Sequence, residues 1–454
     1  MSRPVVVGVV AGVVTFVSYV PGLHRSLDFD SAETVGLFVR QGPPWAVFRR
    51  QAVFNNHPFF SFLEQVVRVT TGQSDAAAMR ILPIACGAAA VGVLGWYTAR
   101  RFTVITAAIA ATFVATNPMF NELSREVRGY SLVALCALVS TLVVVDELLP
   151  TSDGPSAFGR RPGPWYVATL TIGLATHLFM GLVAIAHLGM VVAAGRLDQR
   201  WRIRFLAAAV LSIAAYAAMA GTIRDSASAM ASLFQPRLPL DVSEQVLGGG
   251  HAALIAAPVV VVGLCIAVRS RVVLGGIVAF STAFAFVWLV YRSAALTTRY
   301  FVYLVPLAGL VLALAIARAS YLILVTASSA AIATLSMIGT YTAEPTAYRQ
   351  AAELIHDVKA SGGRACVSPM GVPPMEAYAD EPDEFVGISD PARLDECDVV
   401  LVVAWWHTDA WWYDDDRTVL AEAPWQFDNT TVLPADDRAL VFSHGSLSRW
   451  NGAP

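Results

Sequence analysis

Three carboxylates, Asp28, Asp30 and Glu33, fall within six residues of each other, directly after the first long apolar run of a 454-residue chain. Acids grouped at a membrane edge could bind a metal ion or take the proton of an attacking hydroxyl. The same spacing suits a solvated loop, because Asp28-Phe29-Asp30 is too short a pattern to be specific. Further on stands Asn55-Asn56-His57-Pro58-Phe59-Phe60. His57 could polarise a leaving group or bind metal, and Pro58 suits the first position of a helix. A plain turn and helix cap would use the same His-Pro pair.

Two arginine-bearing segments follow. Ser124-Arg125-Glu126-Val127-Arg128-Gly129-Tyr130 immediately precedes an apolar block. Ionised side chains at the edge of hydrocarbon are costly and usually mark a site, although long side chains also snorkel to headgroups. Glu126, Arg128 and Tyr130 are therefore candidates. Tyr291-Arg292 and Thr298-Arg299-Tyr300 flank the short link between two late apolar runs. A planar fork that grips phosphate through two hydrogen bonds explains arginines there. His177 could face the same cavity or be a hydrogen-bonded packing histidine. External acids together with external arginines suit a reaction in which an anionic headgroup leaves a lipid while a base activates an incoming hydroxyl.

The elements that must hold these residues are membrane helices. Hydrophobic residues make up 56% of the chain and charged ones only 14%, with a net charge of -3. A soluble protein carries about 25% charged residues. The balance gives nucleic acid nothing to bind. Apolar blocks run roughly over 4–20, 79–98, 103–119, 129–147, 165–195, 204–221, 252–268, 272–291, 301–317 and 320–340. The first reads as an uncleaved helix rather than a signal peptide, because no small-x-small site precedes Pro21-Gly22. Arg100-Arg101, Arg160-Arg161, Arg196 to Arg204, Arg269 to Arg271 and Arg318 share one side if the N-terminus is cytoplasmic. That leaves block 165–195 with cytoplasmic charge at both ends. Its length gives only about 46 Å of helix, so it is predicted to be two short or broken helices bent near Ala175-Thr176-His177.

Counted so, there are about eleven helices, and the C-terminus lies outside. The predicted fold class is an α-helical polytopic plasma-membrane protein with a small soluble α/β C-terminal domain. The membrane domain is expected over 1–340 with a long first external loop at 21–78, and the extracytoplasmic domain over 341–454. That loop is predicted to hold interfacial helices around Thr34 to Phe48 and Phe59 to Val69. The tail shows a polar helix from Thr346 to Ala360, then Ala365 to Ser368, then a strand-like Asp398 to Val403. Cys366 and Cys397 are its two cysteines and could form a disulfide or stay as buried thiols. Trp405, Trp406, Trp411 and Trp412 stand beside acids, which suits either a site for an acceptor glycan or packing of the domain onto the membrane surface.

On these residues the chain resembles the GT-C superfamily of polyprenyl-phosphate-sugar-dependent glycosyltransferases, in the branch of bacterial protein O-mannosyltransferases and lipid A aminoarabinose transferases. An Asp-Glu-Ala-x-Thr stretch is matched by Asp30-Ser31-Ala32-Glu33-Thr34, and a His-Pro-Pro-Leu-Tyr element by His57-Pro58-Phe59-Phe60-Ser61. Gly72-Gln73-Ser74, Ala78-Met79-Arg80, Ser124 to Tyr130, Thr176-His177, Arg299-Tyr300 and Pro306 follow in the same order. The resemblance covers residues 20–315. It implies an extracytoplasmic site with Asp30 as general base, inversion at the sugar carbon, and lipid phosphate held by Arg299, then Arg128. The donor it implies is a polyprenyl-phosphate sugar, with mannose or arabinose as the guess, and the acceptor an extracytoplasmic glycan, lipid or protein. Ser31, Phe59 and Asn55 depart from the branch pattern, so a divalent metal cofactor is open but not favoured. A transporter or flippase of polyprenyl-linked sugars is the alternative; it would call for internal repeats and midplane polar residues.

Overall fold

The computed structural model describes residues 2–40, 42–48, 57–73, 75–149, 156–159, 161–217, 237–290, 297–319, 322, 325–326, 328–334, 348–368, 372–378, 384–388, 391–404, 429–433 and 438–443. In chain order its helices are α1 (Arg3–Tyr19), α2 (Phe29–Glu33), α3 (Pro58–Thr71), α4 (Ala76–Met79), α5 (Ile81–Arg101), α6 (Val104–Ala115), α7 (Pro118–Leu123), α8 (Tyr130–Leu148), α9 (Gly163–Thr176), α10 (Met180–Ala193), α11 (Gln199–Tyr216), α12 (Leu238–Val246), α13 (Gly250–Ala267), α14 (Arg271–Val290), α15 (Leu304–Arg318), α16 (Tyr348–Ala360) and α17 (Val372–Glu376). The strands are β1 (Ala365–Val367), β2 (Val386–Gly387), β3 (Val399–Ala404), β4 (Asn429–Leu433) and β5 (Arg438–Ser443). The chain divides into two compact units: residues 1–21, 45–63 and 81–340, and residues 22–44, 64–80 and 341–454.

The first unit is a helical bundle of a polytopic membrane protein. Five described helices are long and apolar enough to cross a bilayer: Arg3–His24, Ala76–Arg101, Tyr130–Leu148, Gly250–Ala267 and Arg271–Leu289. Val104–Ala115, Met180–Ala193 and Leu304–Arg318 are shorter apolar helices. Lipid is as apolar as leucine, so such helices associate through close packing rather than through exclusion of water. Accordingly α1 and α5 meet at glycines: a Cβ on Gly8 would come 2.8 Å from the Gly92 carbonyl oxygen and 2.6 Å from Trp96 Cβ. At the other end of α1 the Tyr19 hydroxyl donates to the Ala115 carbonyl of α6 at 2.8 Å.

Block 165–195 is interrupted where its length requires. α9 ends at Thr176, His177 is extended (φ -154°, ψ 129°), and α10 begins at Met180. Each piece has 14 residues, or about 21 Å at 1.5 Å per residue, short of a full crossing. Both N–H-rich and charged groups collect at the other end of these helices. There Arg101 is paired with Asp146, and Arg204 Nη1 meets Glu147 Oε2 at 2.6 Å.

The second unit is built on an open five-stranded sheet of order β2-β1-β3-β5-β4. β1 runs parallel to β2 and β3, whereas β5 pairs antiparallel with both β3 and β4. β3 is central and reads VVLVVA without alternation, the pattern of a strand covered on both faces. Val400 and Val402 pack with Cys366, Ile388, Leu394 and Cys397. α16 buries Tyr348, Ala351, Leu354, Ile355 and Val358, a helical stripe that covers an apolar face. Cys366 and Cys397 are joined as a disulfide with a Cα–Cα distance of 5.9 Å.

Segments from the first loop belong to this same unit. Arg80 is 4% exposed and donates to the carbonyls of Leu23 (3.0 Å), Ser26 (2.7 Å) and Arg25. Arg40 donates to the Glu376 carbonyl at 2.8 Å, and the Tyr378 hydroxyl accepts from Leu27 N–H at 2.6 Å. Between 34 and 48 the expected interfacial helix is a π-helical stretch, Thr34–Val39, and a 3-10 turn, Pro44–Phe48; the second expected helix is α3.

The disulfide closes a loop with a sequence separation of 31, and removing a cross-link over such a loop costs about 3–4 kcal/mol in the chain-entropy picture. Cys366→Ser/Cys397→Ser is expected to lower the unfolding temperature of the sheet domain. Under denaturing conditions without reductant, alkylation is expected to mark only Cys86, Cys136 and Cys265; labelling of all five cysteines would contradict the bond.

Candidate functional site

At the end of the bundle away from the Arg101–Asp146 pair, four segments of the first unit meet. The first is the start of α3. His57 stands just before Pro58 and is fully buried, with Pro58 needing no N–H at this position. The second is the Ser124–Gly129 connection between α7 and α8, and the third is the break at His177. The fourth is the 3-10 turn Thr298–Phe301 that leads into α15.

These segments put aromatic and imidazole rings in direct contact. His57 meets the Tyr130 ring edge-on at 4.6 Å between centroids and the His177 ring at 5.0 Å. His177 lies 4.9 Å from Tyr300, which stacks on Phe179 at 5.2 Å. His177 Nδ1 accepts the Phe179 N–H at 3.2 Å, which fixes the ring at the break. Gly129 makes this crowding possible. A Cβ there would sit 2.3 Å from Thr176 Cγ2 and 3.0 Å from His57 Nδ1.

Charge enters the nest as guanidinium. Arg125 is 4% exposed and Arg128 6%, and the Arg128 guanidinium lies 5.9 Å from the centre of the Tyr130 ring. Arg125 Nε donates to the Asn121 carbonyl at 3.3 Å. Arg299 is half-buried. Burial first, then the positive charge of Arg128, hold the His57 imidazole well below its usual pKa, against a hydrogen bond with the Thr176 backbone that raises it. His57 is therefore neutral near pH 7 and can offer one donor and one acceptor.

The carboxylates lie in the second unit, on and beside α2. Asp28 is the helix N-cap: its Oδ1 accepts Ser31 N–H at 2.9 Å and its Oδ2 accepts the Ser31 hydroxyl at 2.6 Å. Both of its oxygens thus do structural work. Asp30 and Glu33, three residues apart on α2 and both half-buried, share one helical face. Glu126 adjoins the buried arginines along the chain. Arg292 and Trp405, Trp406, Trp411 and Trp412 lie outside the described residues. Among the described residues no three His, Cys, Asp or Glu side chains converge.

Sequence reading passed over Glu64. It is fully buried on α3, and neither carboxyl oxygen has a hydrogen-bond partner among the described residues. Burial alone pushes its pKa well above the usual carboxylate range. The available signal was periodicity: positions 57, 60, 61, 64 and 65 form the buried face of α3, so an acid at 64 falls on the face of an amphipathic helix that should be apolar. The Phe179 stack on Tyr300 was likewise unmarked in the sequence.

Comparison with known proteins is informative only at the level of structure. No family model matches the chain, and no curated protein does. Among solved structures it is similar to ArnT from Cupriavidus metallidurans bound to undecaprenyl phosphate, with a TM-score of 0.60 and 15% identity over 98% of each chain. The apo state of the same protein gives 0.59 and 16% identity over 96% of this chain and 97% of that one. The Archaeoglobus fulgidus oligosaccharyltransferase, in complex with Zn and sulfate, gives 0.49 and 10% identity over 86% of this chain and 67% of that one. The ArnT likeness shows the fold alone, shared over nearly the whole length of both chains.

A histidine with a depressed pKa binds its proton more readily when unfolded, so its contribution to folding is lost as pH falls through about 6.5, the unfolded value. The wild-type protein is expected to lose stability between pH 7 and pH 5, and His57→Gln to lose less over the same interval. Thermal unfolding at both pH values measures the difference. Equal losses would mean that His57 is not held neutral.

Proposed function

We propose that this protein is a membrane glycosyltransferase that moves a sugar from a polyprenyl-phosphate donor to an extracytoplasmic glycan, lipid or protein. The observation that carries the reading is that Arg128, 5.9 Å from the Tyr130 ring, and Arg299 both act electrostatically on His57, inside a chain of touching rings from Tyr130 through His57 and His177 to Tyr300 at one end of a bundle. It is supported by a fold shared with a protein whose structure was solved with undecaprenyl phosphate.

The chemistry follows from charge. A polyprenyl-phosphate sugar is a phosphodiester carrying one negative charge. As the acceptor oxygen bonds to the sugar C1, the bond from C1 to the phosphate oxygen breaks, and the departing polyprenyl phosphate gains a second charge. Arginines placed at that phosphate bind the product-like charge more strongly than the ground state, which is the condition for lowering a barrier. Neutral His57 adds hydrogen-bonding capacity without competing for the phosphate as a cation. Tyr130 and Tyr300 offer hydroxyls and ring faces for the sugar.

Asp30 is assigned the general base. It takes the proton of the acceptor hydroxyl, and a single displacement inverts the anomeric centre, so no second carboxylate is required. Asp28, with both oxygens used in capping α2, supports the helix that carries Asp30, and Glu33 shares its face. Mannose and arabinose are the proposed donor sugars.

Purified protein in lipid, given labelled polyprenyl-phosphate mannose, arabinose or glucose and a membrane extract as acceptor source, tests this reading. Transfer of one labelled sugar to acceptor is expected; retention of every label on its donor would reject it. Asp30→Asn is expected to reduce transfer by about 10²-fold or more with folding and donor binding kept. Arg299→Ala is expected to weaken donor binding more than acceptor binding, and the reverse pattern would remove Arg299 from the phosphate.

A further inference from the structure

The end of the bundle opposite His177 holds a second concentration of arginine. A polar pocket of about 430 Å³ lies there between the last turn of α8, the first turns of α9 and α11, and the chain leaving α10. Its charged lining is Glu147, Arg161, Arg196, Asp198, Arg200 and Arg204. Four cations face two anions, and both anions are already engaged. Glu147 pairs with Arg204 at 2.6 Å, and Asp198 caps α11 by accepting the Trp201 N–H at 3.0 Å. Arg161, Arg196 and Arg200 are exposed and form no ion pair with any described residue.

Positive charge spread over a loop needs only water, but this pocket has a built wall. Trp201 is 4% exposed, and the Arg204 guanidinium lies 4.7 Å from its ring centre. Arg204 fits because residue 163 has no side chain: a Cβ there would be 2.8 Å from Arg204 Nε and 2.9 Å from Nη2. Two helices, α9 with 14 residues and α11 with 18, start at the pocket, and their N-terminal dipoles add positive potential. Beside it, Trp165 is 58% exposed, Val192 54%, Ile203 56% and Leu206 64%. A ligand that fits therefore carries an anion and acyl chains together, the anion among the free arginines and the chains along those apolar residues.

We infer that this pocket binds the phosphodiester of an anionic glycerophospholipid, at a site separate from the donor site at the other end of the helices. Full-length protein in neutral detergent, titrated with phosphatidylglycerol, tests it by native mass spectrometry and thermal unfolding. Binding is expected to saturate, to raise the unfolding temperature, and to resist competition by phosphatidylcholine. Arg196→Gln/Arg200→Gln is expected to weaken it about tenfold or more, each tenfold being 1.4 kcal/mol. Arg202→Gln, an exposed arginine of α11 outside the pocket lining, is expected to leave it unchanged. Equal weakening by Arg202→Gln would mean diffuse attraction and overturn the site, as would full reproduction of the shift by inorganic phosphate. Phosphatidylglycerol with a photoreactive headgroup keeps the test independent of mutant folding. Adducts are expected within 161–164 or 196–204; adducts confined to the Arg128 and Arg299 segments would overturn the site.

Discussion

A guanidinium withdrawn from water costs several kcal/mol unless the protein around it replaces the lost hydration. Arg125 and Arg128 are withdrawn in this way, in the connection Ser124–Gly129 at the edge of an otherwise apolar bundle. Much of the local architecture is arranged to keep them there. α7 is capped by Asn117, whose side chain accepts the Phe120 N–H at 3.0 Å while its amide donates to the carbonyls of Gln245 and Val246. The rings of His57, Tyr130 and His177 then surround the Arg128 side of the connection. Gly129, where a Cβ would meet Thr176 Cγ2 at 2.3 Å, lets these rings close in.

The same constraint explains why His57 is uncharged. Placing imidazolium beside two arginines in a dry cluster would add like charge where charge is already expensive. A neutral ring is both cheaper and more useful, because it can donate at one nitrogen and accept at the other. Glu64 on α3 obeys the same rule with the opposite sign: it is buried with no partner among the described residues, and burial pushes its pKa well above the usual carboxylate range. The guanidiniums of the connection favour a dianion over a monoanion.

Features set by chain length and side-chain type along a single segment were legible. The break at His177 follows from 31 apolar residues between charged ends, and the arginines at 161, 196 and 204 stand together at one end as their loop positions predict. β1 and β3 fall on the two apolar runs of the tail. Features created by contacts between distant segments were not legible. Arg80 gathers the carbonyls of residues 23–26, and nothing in its neighbours announces those partners. Asp28 looked equivalent to Asp30, yet its hydrogen bonds to Ser31 make it a cap; the Asp-x-x-Ser spacing carries that information only once a helix is known to start there. β4 and β5 were missed because Asn429–Leu433 and Arg438–Ser443 gain their strand character from pairing with each other and with β3.

The composition of the second unit has a consequence for the making of the protein. Residues 22–44 and 64–80 emerge from the ribosome early, yet the strands and helices they pack with begin only after residue 340. At about 5–20 residues per second, the 260 residues from 81 to 340 impose a wait of roughly 13–52 s. For that interval Tyr378 is not there to receive the Leu27 N–H, nor Glu376 to receive Arg40. The segment bearing the proposed base therefore spends the synthesis of the whole bundle without its permanent neighbours. Assembly of this unit therefore waits until the bundle has been made, and a chain cut at residue 340 would insert its helices but leave its first loop unfinished.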